Sequence, residues 1–249
     1  MILLTNDDGI DAPGLKVMRR HLEELDWVMV VAPEEEQSAA SHSVTLDRPI
    51  EVRWIDQNTA AVRATPTDCV LLAVHRLMKK RPDIVVSGIN MGPNLGNDVT
   101  YSGTVAAALE AAIHGIDAVA ISLATREDPD FESAARFGKR LVKHLARVGL
   151  PHGTFLNVNV PNMKGKEIRG VRITRLGKRI YRDDVVKVDG PAGTVCYKIG
   201  GEPVCEMEEG TDVKALENGF ISVTPVNLDL TDHTFLDDLK DWGRDMPLM

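Results

Sequence analysis

Aromatic side chains are scarce in this sequence: only 4% of its residues are Phe, Trp or Tyr. That argues against a platform for stacking the bases of a nucleic acid. Positive charge is also in deficit, 29 basic residues against 37 acidic for a formal net charge of −8. The surface therefore has no general attraction for a phosphate backbone. No apolar run approaches the ~20 residues that cross a bilayer. The opening MILLTNDDG has neither a basic leader nor a small-residue cleavage site, so no secretory signal is expected. Three cysteines, Cys69, Cys196 and Cys205, are too few for a disulfide scaffold and suit a reducing cytoplasm. A hairpin turning at Gly200-Gly201 would set Cys196 opposite Cys205, as reduced cross-strand packing or, on oxidation, as a bridge.

What is present suits a sizeable core: 249 residues, 43% of them apolar. Continuous apolar runs at 1–5, 27–32, 83–87, 117–123 and 154–160 read as strands covered on both faces. Leu15, Met18, Leu22 and Leu25 recur at helical spacing, as do Ala134, Gly138, Leu141, Leu145 and Val148. Thr65, Pro66 and Asp68 read as an N-cap, a first-turn proline and a capping carboxylate for a helix over CVLLAVHRLM. IEVRW and AAVRA read as a hairpin. Strands alternating with helices predict an α/β fold, a Rossmann-like and mostly parallel sheet with helices on both faces. Past Pro161 the texture changes to short strand-like runs and many glycines, closed by an acidic helix over LTDHTFLDDLKDWG. The reading is one α/β unit: a core over 1–161 and, over 162–249, a β-rich arm and C-terminal helix used in oligomerisation.

In open α/β sheets, ligands bind beyond the carboxyl ends of the strands. Asp7 and Asp8 end the first strand, Ser38 lies in the loop after the second, and Asn90 and Asn94 follow the third. Two carboxylates with hydroxyl and amide oxygens make a hard-oxygen set suited to Mg²⁺, Mn²⁺ or Ca²⁺. A divalent cation would hold two like charges together; DDG alone reads rather as a capped turn with Gly9 left-handed, and it is Ser38 and Asn90 at the same sheet edge that favour the cation. Beside it, YSGT opens a helix, so the N–H groups near Gly103 and Thr104 and the hydroxyls of Ser102 and Thr104 form an anion site. Plain N-capping by Ser102 uses the same atoms. Gly88, Gly92 and Gly96 match neither a Walker loop nor a dinucleotide fingerprint. A cation beside a helix N-terminus points to phosphate-ester hydrolysis, with metal-activated water as nucleophile. A covalent aspartyl-phosphate is the rival. The adjacent NDDG lacks the Asp-x-Asp of haloacid dehalogenases, and no lysine follows AISLA as receiver domains require.

These residues resemble the SurE family, the survival-protein nucleotidases that remove phosphate from nucleoside monophosphates. The resemblance spans the chain in separated motifs: TNDDGIDAPG, VVAPEEEQSAASHSVT, TPTDCV, DIVVSGINMGPNLGNDVTYSGTVAAALEA and SVTPVNLDLTDH. It implies a Rossmann-like fold whose C-terminal segments are exchanged between subunits of homodimers or homotetramers. It also implies one divalent ion per subunit, Mg²⁺ or Mn²⁺, held by Asp7, Asp8, Ser38 and Asn90. Asn94 and SGT match the family's phosphate-side residues. Asp229 and His233 resemble a C-terminal pair that relatives bring towards the active site. His233 is then a candidate proton donor to the leaving group, or a helix-start histidine satisfied by Asp229 or Asp232. His42 could contact phosphate or base, or simply be solvated; His75, His114 and His144 read as structural. EEEQS puts acids and Gln37 where relatives often carry basic residues, which bears on substrate preference. The expected substrates are nucleoside 5′- and 3′-monophosphates and short polyphosphate, with no nucleic-acid polymer and no membrane as partner. The alternative is a sensor or assembly module that binds metal and nucleotide at the same residues without turnover.

Overall fold

A computed structural model describes residues 1–163, 167–181, 185–191, 194–199 and 203–245. Its centre is a nine-stranded sheet. The chain begins with β1 (Ile2–Thr5), α1 (Pro13–Leu22), β2 (Val28–Pro33) and the hairpin β3 (Val52–Asp56) and β4 (Thr59–Val62). It continues through α2 (Pro66–Leu72), β5 (Ile84–Met91), α3 (Gly103–Ile113), β6 (Asp117–Ala124), α4 (Phe131–Val148) and β7 (Thr154–Pro161). Then come β8 (Val171–Ile173), β9 (Arg179–Tyr181), β10 (Val185–Val188), β11 (Cys196–Ile199), β12 (Pro203–Cys205), α5 (Asp212–Glu217), β13 (Ile221–Asn227) and α6 (His233–Asp245). The sheet order is β3-β4-β2-β1-β5-β6-β7-β13-β8. From β4 to β7 every pairing is parallel; β3 and β13 are antiparallel to their neighbours β4 and β7.

The continuous apolar runs are strands because both faces are covered. Alternate residues of β1 divide between two cores: Leu4 packs with α1 and α4 on one side, Leu3 with α2 and α3 on the other. Glycine lets α1 approach β5, since a Cβ on Gly14 would meet the Ile89 carbonyl oxygen at 2.1 Å. The Thr65 capping box forms as expected, with Asp68 closing it. The helix then continues as a π turn over Ala73–Leu77.

Beyond Pro161 the chain returns to the sheet: β13 pairs with β7 and β8 with β13. The short helix α5, unforeseen from the sequence, carries Asp212, which is fully buried. Its carboxylate accepts the N–H groups of Gly96 at 2.9 Å and Gly177 at 2.7 Å, tying the loop after β5 to the arm. The expected hairpin between the cysteines is corrected. Among the described residues β11 pairs with β10, setting Cys196 opposite Val188, and β12 pairs with β9, setting Cys205 opposite Arg179. All three cysteines are free, and the expected turn at Gly200-Gly201 lies outside the described residues. A strand has two edges, and the local pattern does not say which sequence neighbour fills one: β11 takes the strand before it and not the one after. Among the described residues no helix is long and apolar enough to cross a membrane.

Candidate active site

β1 has β2 on one side and β5 on the other, so the chain leaves it in both directions. At such a switch point the loops beyond the strand ends diverge and leave a crevice. A cavity of about 930 Å³ opens there, lined by Asp7, Asp8, Ser38, Asn90, Asn94 and Ser102 among others. Backbone bonds lace its rim. Ile10 N–H donates to the Pro33 carbonyl and Gln37 N–H to the Asp7 carbonyl, each at 2.8 Å. The left-handed Gly9 turns the chain after the aspartates, and Asn6 Nδ2 closes that turn on its carbonyl at 2.9 Å.

The two carboxylates are held differently. Asp7 is buried and accepts the hydroxyl of Thr104 on Oδ1. Asp8 Oδ2 accepts the Met91 N–H at 3.2 Å. Burial pushes the Asp7 carboxyl up, the Thr104 hydrogen bond opposing it. Burial and then the charge of Asp7 push Asp8 up to about 6, with Glu36 adding and Arg126 opposing. Both shifts say that negative charge is unfavourable here without a cation. Asn90 Nδ2 donates to the Gly92 carbonyl at 2.8 Å, which leaves the amide oxygen at the other end. Ser38 Oγ donates to the Glu36 carboxylate. Two carboxylates, an amide oxygen and a hydroxyl on one cavity fit a hard divalent cation. Among the described residues no group of three or more His, Cys, Asp or Glu side chains gathers as a metal centre.

The N-terminus of α3 abuts this charge. Ser102 is its N-cap: Oγ accepts the Val105 N–H at 3.1 Å, a bond that leaves the hydroxyl proton uncommitted. Gly103 packs so closely that a Cβ there would lie 2.8 Å from Asp7 Cβ. Only a residue without a side chain brings the helix dipole this near the carboxylate.

Over residues 2–183 the chain matches the model of the family described as Survival protein SurE. The chain belongs to the SurE family. It is 49% identical over 243 residues to the 5′-nucleotidase SurE of Geobacter sulfurreducens, covering 97% of this chain and 93% of that one. To the 5′-nucleotidase SurE of Symbiobacterium thermophilum it is 45% identical over 252 residues, covering 98% of each. The crystal structure of the SurE protein from Aquifex aeolicus superposes with a TM-score of 0.88 at 44% identity, over 97% of this chain and 99% of that one. The resemblance read from the motifs and the α/β fold expected from the strand pattern are both borne out.

Not every candidate residue lies on the SurE cavity. Thr104 is fully buried and its hydroxyl is engaged by Asp7 instead of opening onto the cavity. His42 is paired through Nε2 with Glu110 Oε2 at 2.7 Å. Burial pushes Glu110 up, but bonds from His42 and His114 outweigh it and hold it below the ordinary value. Asp229 and His233 pair with each other at 2.6 Å on the exposed start of α6, and neither lines the cavity among the described residues. Bonds from Thr231 and His233 hold Asp229 well below the usual carboxylate range. Conversely, Glu36, Asp98, Tyr101, Arg126 and Arg179 line the cavity and were not anticipated. Arg126 follows β6 at the same sheet edge, so the strand-end rule could have found it. Arg179 arrives from β9 in the arm, where nothing in its neighbourhood signals a site.

Proposed function

We propose that this chain is a divalent-metal-dependent phosphatase that hydrolyses nucleoside 5′-monophosphates to nucleoside and phosphate. The observation that carries it is the pair Asp7 and Asp8 at the β1/β5 switch point, directly against the N-terminus of α3. The names of the Geobacter and Symbiobacterium relatives support the substrate class. We extend the substrates to 3′-monophosphates and short polyphosphate; the roomy cavity of about 930 Å³ is compatible with both.

Asp7, Asp8, Ser38 and Asn90 would hold one Mg²⁺ or Mn²⁺ per subunit. When bound, the cation supplies Lewis-acid polarisation of the phosphoryl group and acidification of the attacking water. The chain's own part is positioning and charge. Thr104 orients Asp7 and the Met91 N–H orients Asp8. The hydroxyl of Ser102, the positive end of the α3 dipole at Gly103, and Asn94 take the phosphate oxygens, while the Thr104 N–H is already given to Asp7. Arg126 and Arg179 bring positive charge into a cavity that also holds Asp7, Asp8, Glu36 and Asp98.

The subunits form homodimers or homotetramers that exchange C-terminal segments. The apolar face of α6 supports this, since Phe235, Leu236, Leu239 and Trp242 are all exposed in the single chain. Exchange would deliver Asp229 and His233 to a neighbouring subunit's site, where His233 protonates the leaving alkoxide. Three free cysteines and the acidic surface support a cytoplasmic protein acting on small molecules.

The test is phosphate release. Protein stripped with chelator is given Mn²⁺ or Mg²⁺ together with AMP, GMP or p-nitrophenyl phosphate. Turnover restored by metal and lost in Asp8→Asn is expected, with a loss of several kcal/mol of transition-state stabilisation. Nucleotide binding without turnover under every metal would instead make the protein a sensor.

A further inference from the structure

β7 contains two asparagines, Asn157 and Asn159, that a strand buried on both faces should not tolerate. Asparagine is depleted in strands, and a buried amide without partners costs on the order of 1–3 kcal/mol. Both side chains are fully buried, as is Ser122 on β6. Two residues apart, Asn157 and Asn159 project from the same face of the strand. Ser122 stands in register with Asn159 on one side and with Asn90 of β5 on the other. A row of polar residues thus crosses the sheet just below the cavity, starting at a candidate metal ligand.

All three side chains act on one residue. Asn157 Nδ2 and Asn159 Nδ2 both donate to the Asn94 carbonyl, each at 2.9 Å. Asn159 Oδ1 accepts the Asn94 N–H at 2.8 Å, so this amide grips the backbone of Asn94 at both ends. The loop after β5 has no strand partner here, and side chains supply the backbone bonds instead. Ser122 makes a different contact. Its Oγ accepts the side-chain amide of Asn94, Nδ2, at 2.8 Å. Holding the loop in place does not require that bond. Fixing the torsion of the Asn94 amide does, and Asn94 lines the cavity.

We propose that Ser122, Asn157 and Asn159 are positioning residues: a buried clamp that presets the backbone and the amide plane of Asn94 for the substrate's phosphoryl group. This rests on the reading of Asn94 as a phosphate-side residue. Preorganisation is the physical gain, because a polar group already aimed at developing charge needs no reorientation when the reaction occurs. The clamp thereby explains polar residues that would otherwise only weaken the sheet.

A double-mutant cycle on the full-length, metal-loaded protein tests it. Ser122→Ala removes one hydroxyl from a buried site without adding bulk, and Asn94→Ala removes the group it holds. For each single variant and the double variant, kcat, KM, the Kd for inorganic phosphate and the thermal midpoint are measured. Ser122→Ala should lower kcat or weaken phosphate binding on the order of tenfold while moving the midpoint by only a few degrees. In the Asn94→Ala background the same substitution should change neither by more than about twofold. Asn159→Ala, which frees the backbone, should show the same loss together with a lower midpoint. Wild-type kcat and phosphate affinity in Ser122→Ala, beside an impaired Asn94→Ala, would sink the clamp and leave the site reading standing. So would losses that multiply in the double variant. An Asn94→Ala protein as active as wild type would overturn both. Should wild type turn over no phosphate ester, the phosphate Kd values decide the clamp alone.

Discussion

Replacing Asp8 with asparagine should make the cation-free protein more stable while destroying its activity. The carboxyl group of Asp8 is pushed from its ordinary 3.8 to about 6 by burial and by Asp7. A raised carboxyl value means that the folded chain holds this proton more tightly than the unfolded chain. Between pH 4 and 6 the unfolded chain ionises first, so stability falls as pH rises through that window and then levels off. At about 1.4 kcal/mol per pH unit, two units correspond to roughly 3 kcal/mol, which we reduce to about 2 because Asp8 is partly open to solvent. Asparagine cannot ionise, and its amide oxygen can still accept the Met91 N–H. For a chain of this size, about 2 kcal/mol corresponds to a rise in midpoint of roughly 4–8 °C. Thermal unfolding in chelator, followed from pH 4 to 8 for wild type and Asp8→Asn, measures it. The gap should be widest at pH 7–8 and close towards pH 4. Saturating Mn²⁺ should reverse the order, since a ligand bound only to the folded state stabilises wild type by mass action. If Asp8→Asn is the less stable protein in chelator at pH 7, or if the gap does not change with pH, the electrostatic account of the paired acids is refuted.

Two further outcomes follow from packing. Gly103→Ala places a Cβ 2.8 Å from Asp7 Cβ and 3.2 Å from Pro66 Cγ. It should destabilise by about 1–3 kcal/mol and lower kcat at least tenfold, as unfolding and phosphate-release assays would show; a fully active variant would mean α3 need not touch Asp7. Ending the chain after Asn227 removes α6 with its exposed Phe235, Leu236, Leu239 and Trp242. Monomeric or insoluble protein is expected by light scattering, and an unchanged, active oligomer would exclude segment exchange.

Much of the architecture was legible because its signals are local. Apolar runs, the Thr65–Asp68 capping box and the helical spacing of Leu15, Met18 and Leu22 are set by residues within a few positions of one another. So were the residues immediately beyond strand ends, because parallel strands in one sheet deliver their carboxyl ends to one edge. Asp7, Asp8, Ser38, Asn90, Asn94 and Ser102 meet on one cavity for that reason. The cysteine pairing failed because β11 paired with the strand before it in sequence, β10, and not with the one after it, while β12 paired with β9.

Sequence alone, then, determined the alternation of strands and helices and which polar residues sit at strand exits, since both follow from near-neighbour chemistry. Tertiary structure decided what those residues touch. Thr104 turned to Asp7, His42 to Glu110, Arg126 and Arg179 entered the cavity, and β13 closed on β7. Asn157 and Asn159 read as strand residues, and only the folded chain brings Asn94, more than 60 positions away, between them. Contacts of that separation depend on how whole elements bury their faces together, and no short window of residues encodes that.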